Sequence, residues 1–364
     1  MKTNAAVLRD GHGPFTLEEL TVAEPDEHEV LVRLTASGLC HTDLLFRELP
    51  AEFFPGPQVY GHEGAGVVEA TGSAVHDLAE GDHVVLSFNS CQNCPACAEQ
   101  RPACCFDFMT HNMSGGRLDG TAAFTDAQGQ PVGSHFFGQS SFAALTVAAR
   151  QSVVKVASDL DLSILGPLGC GIQTGAGAVL NTLAVTPGSS LVVAGAGSLG
   201  LAAVMAARVA GADTIIAIDR HQSRLELAQR FGATETISGG AGTLGPAIAE
   251  ATGGGADFAL DTTGNAAVVR GCLEGLNNIG TLGVAGVGFG ELTIDHQSLI
   301  SGRRIVGVME GDSVPAEFIP RLTDLHASGQ FPYDELITTF PIADINDAEA
   351  ASLSGEVIKP VLLF

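Results

Sequence analysis

The chain has 364 residues, 45% of them apolar, with 46 glycines, no tryptophan and a formal charge of −24. That length supports two domains with buried cores, and the glycine-rich, aromatic-poor mixture suits an α/β protein with tight βα turns better than a helical bundle or a disordered chain. So acidic a chain argues against a nucleic-acid partner, whose phosphates need a basic surface, and against binding to anionic membranes.

The opening residues, MKTNAAVLRDGHG, lack the apolar core of a signal peptide. With eight cysteines in the chain, a reducing cytoplasm is the expected compartment. Residues 1 to about 168 read as short strands and turns. Val30–Leu34, Gly66–Ala70 and His83–Leu86 are apolar or alternating runs bounded by Gly, Pro and Asp. Cys91, Cys94, Cys97 and Cys105 then form a C-x2-C-x2-C-x7-C run, with Asn93, Pro95 and Pro102 favouring turns. Four thiolates at this spacing suit a tetrahedral zinc with no open coordination position, so the metal stiffens a lobe and does no chemistry. A disulfide cluster would need an oxidising compartment.

From about residue 169 the texture changes to strands alternating with helical patterns. Ser190–Ala194, Thr214–Ile218, Asp257–Leu260 and Thr281–Ala285 are candidate buried parallel strands, and Ser223–Phe231 is one of the helices between them. The long apolar run Leu191–Ala210 is the nearest thing to a membrane span, but its three glycines and Arg208 fit a buried strand-turn-helix. Gly195, Gly197 and Gly200 make G-x-G-x-x-G between an apolar strand and a helical stretch, and Asp219 closes the next strand about twenty residues on. The glycines permit a tight turn and close approach of backbone to a pyrophosphate at a helix N-terminus. Asp219 suits the ribose hydroxyls of NAD and repels a 2′-phosphate, although the adjacent Arg220 leaves NADP open. A further helix, Ala316–Ser328, and a strand ending at Phe364 close the chain. The layout expected is a parallel-sheet domain, residues 169–308, inserted into a β-rich one, residues 1–168 and 309–364, with its zinc lobe at 91–105 and the active site between the two.

Gly61-His62-Glu63 opens G-H-E-x2-G-x5-G-x2-V, completed by Gly66, Gly72 and Val75. With Gly38-Leu39-Cys40-His41-Thr42-Asp43, the four-cysteine lobe, the Gly169–Gly175 segment and the dinucleotide fingerprint, the whole chain resembles the zinc-dependent medium-chain alcohol dehydrogenases. The resemblance implies a GroES-like catalytic domain and a Rossmann-type doubly wound coenzyme domain, with two zinc ions per subunit and NAD. It also implies a homodimer or homotetramer paired through the coenzyme-domain sheet. Cys40, His62 and Cys170 are then the catalytic zinc ligands, Asp43 orients His62, and Glu63 lies behind the metal. Thr42 accepts the alcohol proton while NAD carries the redox chemistry. His41, Thr174, Arg224 and Lys359 become cofactor contacts, respectively to pyrophosphate, nicotinamide, adenosine ribose and pyrophosphate. The shared spacing selects Cys105 over Cys104 as fourth ligand of the structural zinc. Leu45 stands where many members carry the histidine that ends a proton relay, so the relay stops at the ribose hydroxyl, passes through water, or uses His41.

Cys170 favours alcohol over polyol dehydrogenases, which commonly use glutamate at that position. The stretch Ser134–Ala143 is similar to aryl- and allylic-alcohol dehydrogenases. These point to a bulky apolar primary alcohol of the benzyl type, in a pocket lined by Leu45, Phe46, Phe88 and Phe289. The alternatives are a glutathione-dependent formaldehyde dehydrogenase and a non-catalytic zinc- and nucleotide-binding redox sensor.

Overall fold

The structure is a computed structural model that describes residues 1–10, 13–47, 56–239, 241–288 and 290–364. The chain divides into two compact units. The first holds Met1–Cys170, Val314–Arg321 and Asp334–Phe364; the second holds Gly171–Ser313 and Leu322–Tyr333. Residues 309–313 and 322–333, expected with the β-rich domain, therefore pack with the parallel sheet.

In the first unit, strand Glu29–Gly38 is the axis. It pairs antiparallel with Gly64–Thr71, Leu145–Ala149 and Lys359–Leu363. Its burial pattern, with only Arg33 and Thr35 exposed, follows from sheet and loops covering both of its faces. The register sets Ser37 opposite Gly64 and Gly38 opposite Val361. Cys40 comes two residues after Gly38, Glu63 one before Gly64, and Lys359 two before Val361. Residues more than 300 apart in sequence thus reach one point because three strands end side by side.

The second unit is a sheet of six parallel strands. In spatial order they are Glu235–Ser238, Thr214–Asp219, Ser190–Ala194, Ala256–Asp261, Leu276–Val284 and Arg304–Gly307. In order of appearance this reads 3-2-1-4-5-6, the doubly wound dinucleotide-binding arrangement. Ser190–Ala194 is central, buried on both faces and apolar throughout after Ser190, as a covered parallel strand must be. The run that suggested a membrane span divides into this strand and the helix Ser198–Ala210. Among the described residues no single helix is long and apolar enough to cross a membrane.

Candidate metal centres and nucleotide fingerprint

Cys91, Cys94, Cys97 and Cys105 bring their sulfurs within 4.8 Å of one another. Tetrahedral zinc with bonds of about 2.3 Å separates its sulfurs by about 3.8 Å, and the Cys91 and Cys97 sulfurs are 3.9 Å apart. Backbone amides point inward as thiolates require. Cys91 N–H donates to Cys105 Sγ at 3.3 Å, Cys94 N–H to Cys91 Sγ at 3.4 Å, and Phe106 N–H to Cys94 Sγ at 3.4 Å. Pro95 at the start of helix Pro95–Ala98 and Pro102 at the start of the turn Pro102–Cys104 fold the loop around the cluster. Cys104 lies outside it, its sulfur taking a hydrogen bond from Arg101 at 3.5 Å. Cys105→Ser is expected to lose one zinc per chain and unfold the lobe, and Cys104→Ser to keep the full zinc content, both measured by metal analysis.

A second group joins Cys40, His62, Glu63 and Cys170, again with one ligand atom from each within 4.8 Å. His62 is wholly buried. Its Nδ1 bonds Asp43 Oδ1 at 2.8 Å, while its Nε2 is buried without a hydrogen-bond partner. An imidazole fixed through Nδ1 to a buried carboxylate, with Nε2 left to coordinate, is what a zinc-ligating histidine needs. Asp43 is itself held by the backbone amides of Cys40, at 2.9 Å, and Gly61, at 3.1 Å. Hydrogen bonding by Cys170, then the nearby Lys359 and His62, holds the Cys40 thiol well below the usual range against the effect of burial. Burial works against the His62 imidazolium, but Asp43 and Cys40 together hold its pKa well above the ordinary value. The Cys40 shift describes a pocket that stabilises thiolate charge, and two thiolates with an imidazole suit a zinc ion.

The backbone is cut to fit this centre. A Cβ on Gly38 would stand 2.0 Å from Glu63 Oε2, and one on Gly166 would stand 2.3 Å from the Glu63 carbonyl. Ser87 Oγ donates to the Gly169 carbonyl at 2.6 Å, holding the turn that delivers Cys170.

One assignment is corrected. Lys359, expected at the pyrophosphate, is buried, and its ammonium donates to Glu63 Oε1 at 3.0 Å, Glu63 Oε2 at 2.9 Å and the Leu39 carbonyl at 3.4 Å. All three donors are committed behind the metal centre, leaving none for a phosphate. His41 is exposed and Thr42 half-buried, both on the short helix His41–Arg47 that follows Cys40.

In the second unit the three fingerprint glycines have three separate reasons. Gly195 has φ +95°, and a Cβ there would meet Thr262 Oγ1 at 2.3 Å. Gly197 faces open space, where a phosphate can approach, and a Cβ on Gly200 would press to 1.8 Å from the Gly195 carbonyl. The turn lies at the switch point, between the carboxyl ends of Ser190–Ala194 and Ala256–Asp261. Burial disfavours the Asp219 carboxylate, yet the amides of His221 and Ala196, both at 2.8 Å, hold its pKa below normal. Arg224 Nη1 stands 4.0 Å from Asp219 Oδ2. Thr174 is buried and its hydroxyl donates to Glu310 Oε2 at 3.3 Å.

Of the expected pocket residues, Leu45 is half-buried. Phe46, also half-buried, meets Phe136 edge-on at 5.6 Å. Phe88 is packed into the first unit's core against Phe108, at 5.8 Å, and Phe289 lies outside the described residues. Two aromatics not singled out from sequence are nearer the metal centre. Phe137 stacks on the His62 ring at 4.5 Å and Phe136 meets it edge-on at 5.5 Å. Both sit in the Ser134–Ala143 stretch, which was the signal available.

That stretch is tied down through Glu29. Its carboxylate takes bonds from His135 Nε2 at 2.8 Å, Arg117 Nη2 at 2.9 Å and the Asp26 amide at 2.8 Å. Burial would raise its pKa, but His135 and Arg117 bring it down to about 2 from an ordinary 4.5. A carboxyl depressed by that much on folding contributes roughly 3 kcal/mol at neutral pH. The contribution is complete above pH 4.5 and lost as pH falls toward 2. Glu29→Gln is expected to lower stability at pH 7 and to flatten its loss between pH 5 and 3, measured by urea unfolding.

Residues 26–158 match the alcohol dehydrogenase GroES-like domain and residues 198–327 the zinc-binding dehydrogenase domain. A geraniol dehydrogenase of Castellaniella defragrans is 44% identical over 100% of this chain and 98% of its own. The crystal structure of an alcohol dehydrogenase zinc-binding domain protein from Burkholderia ambifaria superposes with a TM-score of 0.96 at 48% identity, covering 100% of this chain and 99% of that one. That of benzyl alcohol dehydrogenase from Acinetobacter calcoaceticus superposes with 0.95 at 42%, with the same coverage.

Proposed function

The chain belongs to the zinc-dependent medium-chain alcohol dehydrogenases, and from that premise we propose that it transfers hydride reversibly between a bulky aromatic or allylic primary alcohol and NAD, giving the aldehyde. Cys40, His62 and Cys170 would hold the catalytic zinc, which when bound supplies Lewis acidity toward the alcohol oxygen. Cys91, Cys94, Cys97 and Cys105 would hold a second, structural zinc. Thr42, two residues after Cys40, accepts a hydrogen bond from the alcohol hydroxyl and passes its own proton on to the ribose hydroxyl, water or His41. Asp43 keeps His62 in one tautomer and orientation. Asp219 accepts the ribose hydroxyls, and the glycine turn receives the pyrophosphate. A homo-oligomer in a reducing cytoplasm completes the reading, consistent with eight cysteines of which none is in a disulfide.

The observation that carries the substrate class is aromatic. Phe46, Phe136 and Phe137 form one chain of edge and stacked contacts that ends on His62, and a flat apolar substrate finds matching faces there. The relatives named for geraniol and benzyl alcohol support the same class. The test is a panel of benzyl alcohol, geraniol and ethanol, run with NAD and NADP in parallel and followed by nicotinamide absorbance. The expected result is the highest kcat/KM for benzyl alcohol or geraniol with NAD. A preference for ethanol would overturn the substrate class. No turnover of any alcohol, with both zinc ions bound, would favour the redox sensor.

A further inference from the structure

Asp43 holds the Nδ1 edge of the His62 ring at 2.8 Å, and the Cβ–Cγ bond tethers it to the backbone. The opposite edge, which carries Nε2, has no hydrogen bond, so its placement rests on what packs against the ring. Phe137 lies against its face at 4.5 Å and 25°, and Phe136 closes the edge at 5.5 Å and 80°.

The backbone that carries Phe137 is strained. His135, Phe137 and Ser140 have φ values of +60°, +54° and +62°, a region L-residues rarely adopt. Each is unfavourable and persists only where surrounding structure over-determines it. That structure is visible on both flanks. Behind the segment, His135 uses both ring nitrogens: Nε2–H donates to Glu29 at 2.8 Å, and Nδ1 meets Ser134 Oγ at 3.0 Å. Glu29 is gripped in turn by Arg117, whose Nη2 also reaches the Glu24 carbonyl at 3.0 Å. Ahead of it, Gln139 donates to the carbonyls of His62, at 2.9 Å, and Ser87, at 3.0 Å, and Ser140 Oγ donates to the Val59 carbonyl at 2.6 Å. Gly138 allows no side chain, since a Cβ there would stand 2.3 Å from Ser152 Oγ.

We infer that His135, anchored by Glu29 and Arg117, is a positioning residue that forces Phe137 into its left-handed conformation and thereby sets the plane of His62. The chain of command runs from Arg117 through Glu29 and His135 to Phe137 and His62, and it adds a remote control on metal geometry to the catalytic reading on which it rests. Asp43 holds the Nδ1 edge and Phe137 braces the face. Nε2 is then aimed without further adjustment when the metal binds.

The test reads the His62 ring directly by proton NMR of holoenzyme carrying labelled histidine. A stacked phenyl ring shields the imidazole protons, so Phe137→Leu should move the His62 Cδ2 proton downfield. His135→Asn retains a residue tolerant of the left-handed region but loses the reach to Glu29. It should move the same resonance in the same direction, lower zinc affinity at the catalytic site by about 10–100-fold, and lower kcat by a factor on the order of 10² with the KM for NAD unchanged. Should His135→Asn fail to fold, Glu29→Gln decides, with the same downfield shift expected. An unmoved His62 resonance in a folded His135→Asn or Glu29→Gln protein overturns the inference. That resonance owes nothing to which alcohol is oxidised, so failure on the substrate panel and failure here are separate results.

Discussion

Cys40→Ser is expected to lower alcohol oxidation by about 10⁴-fold while removing one zinc per chain and leaving the other. A Lewis-acid metal contributes several kcal/mol to stabilising developing oxyanion charge, and each 1.4 kcal/mol is tenfold in rate. Serine keeps the size of the side chain but offers an alcohol that stays protonated where the pocket is built for a thiolate. The Cys40 backbone amide still donates to Asp43, so the orientation of His62 survives. The fold is expected to survive as well, because the four-cysteine lobe and the strands that meet at Cys40 are untouched. NAD affinity, measured by calorimetric titration, should change little, since the nucleotide turn lies in the other unit. Full activity in a protein that has lost one zinc would remove the assignment of Cys40, His62 and Cys170 as the catalytic centre.

Much of this site was legible because its parts sit in short motifs. Each strand read from alternation is present, as Glu29–Gly38, Gly64–Thr71 and His83–Leu86 show. The fingerprint glycines occupy a strand-turn-helix in the context that their spacing required. What stayed hidden were directions and registers. The motif around Lys359 points it to the pyrophosphate, whereas the pairing of Val361 with Gly38, more than 300 residues away, brings it to Glu63. No local pattern encodes that. Phe88, expected in the pocket lining, packs into the core beside Phe108. Phe137 is not legible locally for a different reason. An aromatic in a left-handed conformation contradicts local propensity, and only the buried bonds of His135, Gln139 and Ser140 impose it. Local sequence reports what the backbone prefers, whereas here tertiary contacts overrule the preference next to the metal ligand.

The correction at Lys359 leads to the second large effect. A pyrophosphate contact and a buried counter-ion make opposite predictions for Lys359→Met. Loss of a phosphate contact would weaken NAD binding and leave stability nearly unchanged. Loss of a counter-ion leaves Glu63 wholly buried without its partner, and breaking such a pair costs about 3–5 kcal/mol. Burial already lifts the Glu63 pKa above the ordinary 4.5 with Lys359 opposing it, and burial's pull on Lys359 is outweighed by Glu63 and Cys40, which keep the ammonium charged. With Lys359 gone, the Glu63 pKa rises further. A carboxyl whose folded pKa is raised is most compatible with folding below its unfolded pKa. The deficit of Lys359→Met should therefore be small near pH 4 and grow as pH rises toward the new folded value. The double replacement Lys359→Met with Glu63→Leu removes both charges and should restore most of the lost stability, as apolar substitution of buried pairs commonly does. Urea unfolding of the two variants from pH 4 to 8 reads this directly. A Lys359→Met protein as stable as wild type at pH 7, with weakened NAD binding, would return the lysine to the cofactor.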